Sequence, residues 1–197
     1  MSDAGAKAVL RHYLDGARDA LLWKLDGLSE YDVRRPLTPT GTNLLGLVKH
    51  VAGVEGAYFG EVFGRPFPEA MPWMELSAAP NSDMWATADE STADIVELYG
   101  RVRAHADATI EALDLDATGR VGWWGPGGEE VTLQQILVHV VAENHRHAGH
   151  ADIVRELVDG ATGVRPGGGN LPDEDQSWWV AYHDRLDDVA RGFRPDH

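Results

Sequence analysis

Apolar residues recur three and four apart along most of the chain, which predicts helices. The first pattern runs from about 6 to 28 on Val9, Leu10, Tyr13, Leu14, Ala17, Ala20 and Leu21. Gly27, Pro36 and Pro39 end it and make the turn. The second starts after Thr42 or Asn43, both good helix caps, and runs to about Phe63. Its stripe is Leu44, Leu47, Val48, Val51, Val54 and Tyr58, and Gly46, Gly53, Gly56 and Gly60 predict close approach of a neighbouring backbone. The third runs from Ser91 or Thr92 to Leu113 on Ile95, Val96, Leu98, Tyr99 and Val102. The fourth is capped at Thr132 and ends before Gly160, and a shorter amphipathic helix follows from Asp173 to about Phe193 through Trp178, Trp179, Tyr182, Leu186 and Val189.

Between these lie two irregular stretches. Residues 64–90 hold four prolines and two tryptophans, and a connection of that length is expected to be functional or lid-like. Residues 114–130 are glycine-rich, carry Trp123 and Trp124, and could include a short hairpin. The glycine-rich stretch at 160–170 has no lysine and so is no phosphate loop. Periods are helical throughout and no repeat is evident. The expected fold class is all-α, a four-helix bundle with an additional C-terminal helix, forming a single domain over 1–197.

The fourth helix breaks its own pattern. In His139-Val140-Val141-Ala142-Glu143-Asn144-His145-Arg146-His147-Ala148-Gly149-His150, ionisable residues stand where hydrocarbon belongs. Ile136, Val140, Val154 and Leu157 define an apolar stripe; Glu143 and His147 fall in its middle, His139 and His150 on its edge, while His145 points away. A carboxylate on a packing face is costly unless paired or bound to a metal, and a Glu and a His four apart can reach one ion. The competing reading pairs Glu143 with Arg146 or with an arginine of a neighbouring helix. A third ligand must come from another helix. His12, His105 and His183 sit among mixed charges and are expected to be exposed, and His197 is the terminus. His50 borders the apolar stripe of the second helix, where it is either a metal ligand or an inert core-edge histidine. His139 and His150 are alternative ligands, or groups supporting the ligands from outside. Glu55 is read as a surface or salt-bridge residue, and Trp123 or Trp124 as a wall of the site.

Composition narrows the partners. Of 197 residues, 43% are hydrophobic and 25% charged, as in ordinary globular proteins. A formal net charge of −15 argues against nucleic acid and anionic membranes. Cysteine is absent, so thiolate ligands and a cysteine nucleophile are excluded, and any thiol must come from outside. No apolar run approaches the roughly 18 residues a membrane span needs, and the N-terminus lacks a signal-peptide core. A cytoplasmic monomer or homodimer is expected. Arginine outnumbers lysine, which fits a GC-rich genome.

Two segments carry a resemblance: Leu44-Leu45-Gly46-Leu47-Val48-Lys49-His50-Val51-Ala52-Gly53-Val54-Glu55, and the run from His139 to Asp152 with its Arg146-His147-Ala148-Gly149-His150-Ala151-Asp152 core. Together with Asp159-Gly160-Ala161-Thr162-Gly163, the chain resembles the DinB/YfiT-like metalloenzyme superfamily over nearly its whole length. It is most similar to an actinobacterial branch described only as a domain of unknown function. That resemblance implies a four-helix bundle holding a metal through one residue of the second helix and two, four apart, on the fourth. Many members use three histidines. The branch typified by mycothiol-dependent maleylpyruvate isomerase uses His, Glu and His, which implies His50, Glu143 and His147 here. The final helix is too short to stand for that isomerase's C-terminal domain. The implied activity is therefore the broader one, transfer of a low-molecular-weight thiol such as mycothiol or bacillithiol to an electrophilic small molecule. The cofactor implied is a divalent metal, Zn2+ first, with Ni2+ or Fe2+ as alternatives. Two His and one carboxylate leave positions open, as a catalytic metal requires, and also suit non-haem iron. The competing functions are metal-dependent hydrolysis and non-catalytic metal or ligand binding in a stress protein.

Overall fold

The computed structural model describes residues 3–169 and 171–195; His197 lies outside them. Among the described residues, six α-helices and one small hairpin follow in the order α1 (Asp3–Trp23), α2 (Glu30–Arg34), α3 (Leu44–Phe59), α4 (Thr92–Ala112), β1 (Thr118–Val121), β2 (Glu129–Thr132), α5 (Leu133–Asp159) and α6 (Gln176–Arg191). The four long helices α1, α3, α4 and α5 form the bundle: α3 packs on α4 and α5, and α1 on α5. Among the described residues no helix is long and apolar enough to cross a membrane.

Helix ends follow local chemistry. Asn43 caps α3 by accepting from the Gly46 amide, Ser91 and Asp94 form a capping box on α4, and Thr132 caps α5 by accepting from Gln135. Gly160, in the left-handed region at φ 79°, ends α5. Several expected bounds shift. The first helix stops at Trp23 rather than near Leu28, and the separate turn α2, capped by Ser29, follows it. The second stops at Phe59; residues 61–63 form a 3-10 turn because Gly60 leaves the helical conformation. The hairpin within the glycine-rich stretch is present, with Thr118 opposite Thr132 and Val121 opposite Glu129.

Packing corrects the apolar stripes at particular positions. Val9, Tyr13 and Leu157 are exposed. On α3 the stripe becomes burial all round: fourteen residues from Leu44 to Phe59 are buried. That follows from α3's neighbours, α4 on one side, α5 on another and the segment 71–84 on a third. The glycines permit this third contact. A Cβ on Gly46 would sit 1.8 Å from the Met84 carbonyl oxygen, one on Gly53 2.3 Å from the Met74 sulfur, and one on Gly56 2.7 Å from the Met71 methyl. The expected backbone approach is thus met at Gly46, and at Gly60 against the Arg65 carbonyl and the Phe67 amide nitrogen, while methionine side chains fill the space at Gly53 and Gly56. Asn43 and Lys49 donate to the Met84 and Trp85 carbonyls, both at 3.1 Å, and Lys49 pairs with Glu90 at 2.8 Å. These contacts strap the long irregular segment across α3.

The core has two apolar halves. One gathers Leu14, Phe59, Ile110, Val121, Leu133 and Ile136; the other gathers Leu21, Leu47, Val51, Tyr99, Val102 and Val154. Glu55 on α3, wholly buried, accepts from Arg18 of α1 at 3.0 Å, Tyr99 of α4 at 2.8 Å and Asn144 of α5 at 2.8 Å. Arg18 also reaches Asp107 of α4 at 2.8 Å. All four bundle helices thus meet in one ionic layer. The sequence reading of Glu55 as a salt-bridge residue holds, but the surface location does not. Helix α6 has no buried residue; Leu186 and Val189 are 50% and 60% exposed, and Trp178 stacks on Tyr182.

Candidate metal centre

One turn before the ionic layer on α3, and flanking it on α5, three donors converge. His50 projects from α3; Glu143 and His147 project from α5, on either side of Asn144. The Glu143 Oε1 atom lies 2.9 Å from His147 Nε2 and 3.7 Å from His50 Nε2. The two imidazole centroids are 4.6 Å apart with rings crossed at 67°. One ligand atom from each of the three lies within 4.8 Å of the others, a spacing that suits a single ion.

The surroundings set the protonation states. Burial pushes the Glu143 carboxyl up, but the hydrogen bond from His147 and the neighbouring His147, Arg146 and His50 charges outweigh it, leaving it below its ordinary range. Burial pushes His147 down, the Glu143 hydrogen bond pushes it back up, and the His50 charge pushes it down again; the net position is below the ordinary imidazole value. An ionised carboxylate beside a neutral imidazole is the state in which both can bind a cation. Arg146, expected as a competing partner of Glu143, is 3.9 Å away and largely exposed.

The remaining sequence-named residues are placed as follows. The Nδ1 atom of His50 lies 2.7 Å from Asp83 Oδ2. Asp83 stands in a 3-10 turn (Ser82–Met84) of the strapped segment. It escaped the sequence reading because a residue in an aperiodic loop has no face, and only the glycine-lined surface of α3 tells where the loop lies. His147 Nδ1 is buried with no hydrogen-bond partner among the described residues. His150 packs edge-on to His147 at 5.4 Å. His139 lies a turn away against Tyr58 at 4.8 Å and Trp124 at 5.0 Å. His12 and His183 are exposed as expected; His105 is half-buried, with Nε2 2.7 Å from the Arg65 carbonyl.

The cluster closes one end of a cavity of about 780 Å³. His50 and Glu143 line that end, and Tyr58, Glu61, Trp123 and His139 line the rest, with Met74 and Leu76 of the strap. Trp123 therefore faces the cavity. Trp124 stands behind, its indole N–H donating to the Tyr58 hydroxyl at 2.9 Å.

The metal-site arithmetic is favourable: two nitrogens and one carboxylate oxygen, a carboxylate behind one imidazole, and an open cavity on the remaining side. No curated protein matches the chain. A family model described as Mycothiol-S-transferase matches residues 9–160, from the first turns of α1 to the glycine that ends α5, and leaves α6 outside. With the match covering well over half of the chain and reaching all four long helices, the chain belongs to the mycothiol S-transferase family.

Proposed function

We propose that the protein transfers a sugar thiol of the mycothiol type to an electrophilic small molecule, using a divalent metal, Zn2+ first, held by His50, Glu143 and His147. The observation that carries the reading is the convergence of three donors at the end of a cavity in a chain of this family. The donor set fits the group: the buried edge of the cluster is nitrogen and carboxylate only, and cysteine is absent from the chain, so nothing in the protein competes with an incoming thiol. When bound, a divalent metal acidifies a thiol, which ordinarily ionises near pH 8.5, so that it is a thiolate at neutral pH.

The chain's own residues do the rest. Glu143 is an anion that offsets part of the ion's charge, and His147 presents a neutral Nε2. Asp83 accepts from His50 Nδ1, which fixes the ring so that Nε2 faces Glu143. Met74 and Leu76 of the strap add apolar surface to the cavity lining. The transfer breaks one S–H bond and forms one S–C bond. The proton goes to solvent, and the displaced electron pair leaves with the electrophile's leaving group or is protonated on the product.

Elemental analysis of purified protein, followed by thiol consumption with mycothiol and a generic electrophile, tests this. Expected are one metal per chain, turnover that persists well below the free thiol's pKa, and a sulfur-to-metal charge-transfer band when mycothiol is added to Co(II)-loaded protein. Metal binding with no band, and rates that no thiol changes, would leave hydrolysis or pure binding as the better account.

A further inference from the structure

The end of the cavity away from the metal cluster has a chemistry of its own. His50 and Tyr58 are eight residues apart on α3, about 12 Å of helical rise. At the Tyr58 end three features meet. Trp123 lines the cavity, with 49% of the residue exposed. The Tyr58 oxygen accepts from both indoles, Trp124 at 2.9 Å and Trp123 at 3.4 Å. Its own O–H has no acceptor among the described residues. A phenol oxygen already accepting two N–H groups has its proton left to donate. Glu61 adds an exposed carboxylate with no side-chain partner among the described residues. No lysine or arginine lines the cavity, so it has no such side chain to pair with a phosphate or carboxylate.

A flat aromatic face, one directed donor and one anionic acceptor match a polyol. Its hydroxyls both donate and accept, and its ring C–H face packs on an indole. Building on the transferase reading above, we propose that this end of the cavity is the sugar subsite of the thiol substrate. Trp123 is its stacking platform, the Tyr58 hydroxyl its donor and Glu61 its acceptor. The arm between sulfur and sugar then runs past Val54, and the electrophile approaches from the strap side, under Met74 and Leu76.

Calorimetric titration with S-methyl mycothiol, which keeps the sugar and has no ionisable thiol, tests the subsite in metal-free protein. Trp123→Ala should weaken binding roughly 2–10-fold, and Glu61→Gln and Tyr58→Phe by similar factors. In metal-loaded protein the same variants should raise KM for mycothiol and leave KM for an uncharged sugar-free thiol, N-acetylcysteine amide, unchanged. Glu61→Gln changes only an exposed group, so it keeps the test valid should Trp123→Ala fold poorly. Equal affinity of wild type and all three variants for S-methyl mycothiol overturns the proposal. So does an equal rise in KM for both thiols, or a rise confined to the electrophile. If no thiol turns over on metal-loaded wild type, the transferase reading fails by itself; a calorimetric difference among the variants would still support the sugar subsite.

Discussion

Two polar clusters sit side by side along α3 and α5, and they are built for opposite ends. In the ionic layer, Glu55 is wholly buried and its oxygens are filled by Arg18, Tyr99 and Asn144. At the cavity, Glu143 is 25% exposed; its close neighbours are imidazoles, and the remaining side opens to the cavity. Both glutamates lie on faces that should be hydrocarbon. The first is compensated by donors that carry their own protons, so nothing further can bind. The second accepts, among the described residues, only from the His147 imidazole, whose proton a metal ion can displace. Burial of charge alone therefore does not mark a site; what the charge is paired with does.

Removing a partner on each side separates the two clusters. The largest effect on folding should come from Arg18→Ala. It leaves Glu55 buried and unpaired, and should cost about 3–5 kcal/mol in chemical denaturation. The double change Arg18→Met with Glu55→Leu should recover much of that loss, because a buried pair replaced by hydrocarbon is often neutral. If Arg18→Ala leaves stability untouched, the ionic layer does not tie the bundle together.

The cavity cluster should behave the other way round. His50→Ala and His147→Ala should abolish stoichiometric metal binding, measured by dialysis and elemental analysis, and Glu143→Gln should weaken it. Glu143→Gln should shift metal-free stability by less than about 1 kcal/mol, as expected of a change on a partly exposed group. Stoichiometric metal in both histidine variants would sink the assignment.

A smaller effect is expected from the strap. Asp83→Asn should weaken metal affinity about 10–100-fold by releasing the His50 ring. Gly46→Ala should act in the same direction, since its Cβ would sit 1.8 Å from the Met84 carbonyl oxygen and must displace the turn that carries Asp83. His139→Ala should leave affinity unchanged, because that ring lies against Tyr58 and Trp124 rather than a ligand. If His139→Ala proves as damaging as Asp83→Asn, the support of the cluster runs along α5 and not through the strap.

The smallest effect is in pH. His147 is held below its ordinary 6.5, and Glu143 below its ordinary 4.5. The unfolded metal-free chain therefore binds more protons than the folded one as each group titrates. Stability should be lost as pH falls, first below 6.5 through His147 and then below 4.5 through Glu143. Replacing His147 with Gln should flatten the upper limb, read as the denaturation midpoint of metal-free protein against pH. A wild-type midpoint that rises on acidification through that limb would contradict the sign.

Much of the fold was legible because helix formation is a local matter. The spacing of Leu44, Val48 and Val51, the caps at Asn43, Ser91 and Thr132, and the terminator Gly160 each act within a turn or two, and the structure keeps them. The pairing of Glu143 with His147 was legible for the same reason, since four residues on a helix fix two side chains on one face. Where the sequence reading failed, distance along the chain was the cause. Leu157 has the right period but no neighbour to cover it, and Leu186 and Val189 stand exposed on α6.

Sequence by itself determined the helices, their caps and the ionisable break in the fourth long helix, because those depend on residues within a turn of one another. Tertiary structure alone decided that His50 faces Glu143 across 93 residues of chain, well beyond any helical period. It also decided that Glu55 closes with Arg18, and that a proline-rich loop lies on the glycines of α3 and brings Asp83 to His50. Those contacts join segments whose approach is set by which surfaces fit, and fit is a property of packed shapes that no local pattern encodes.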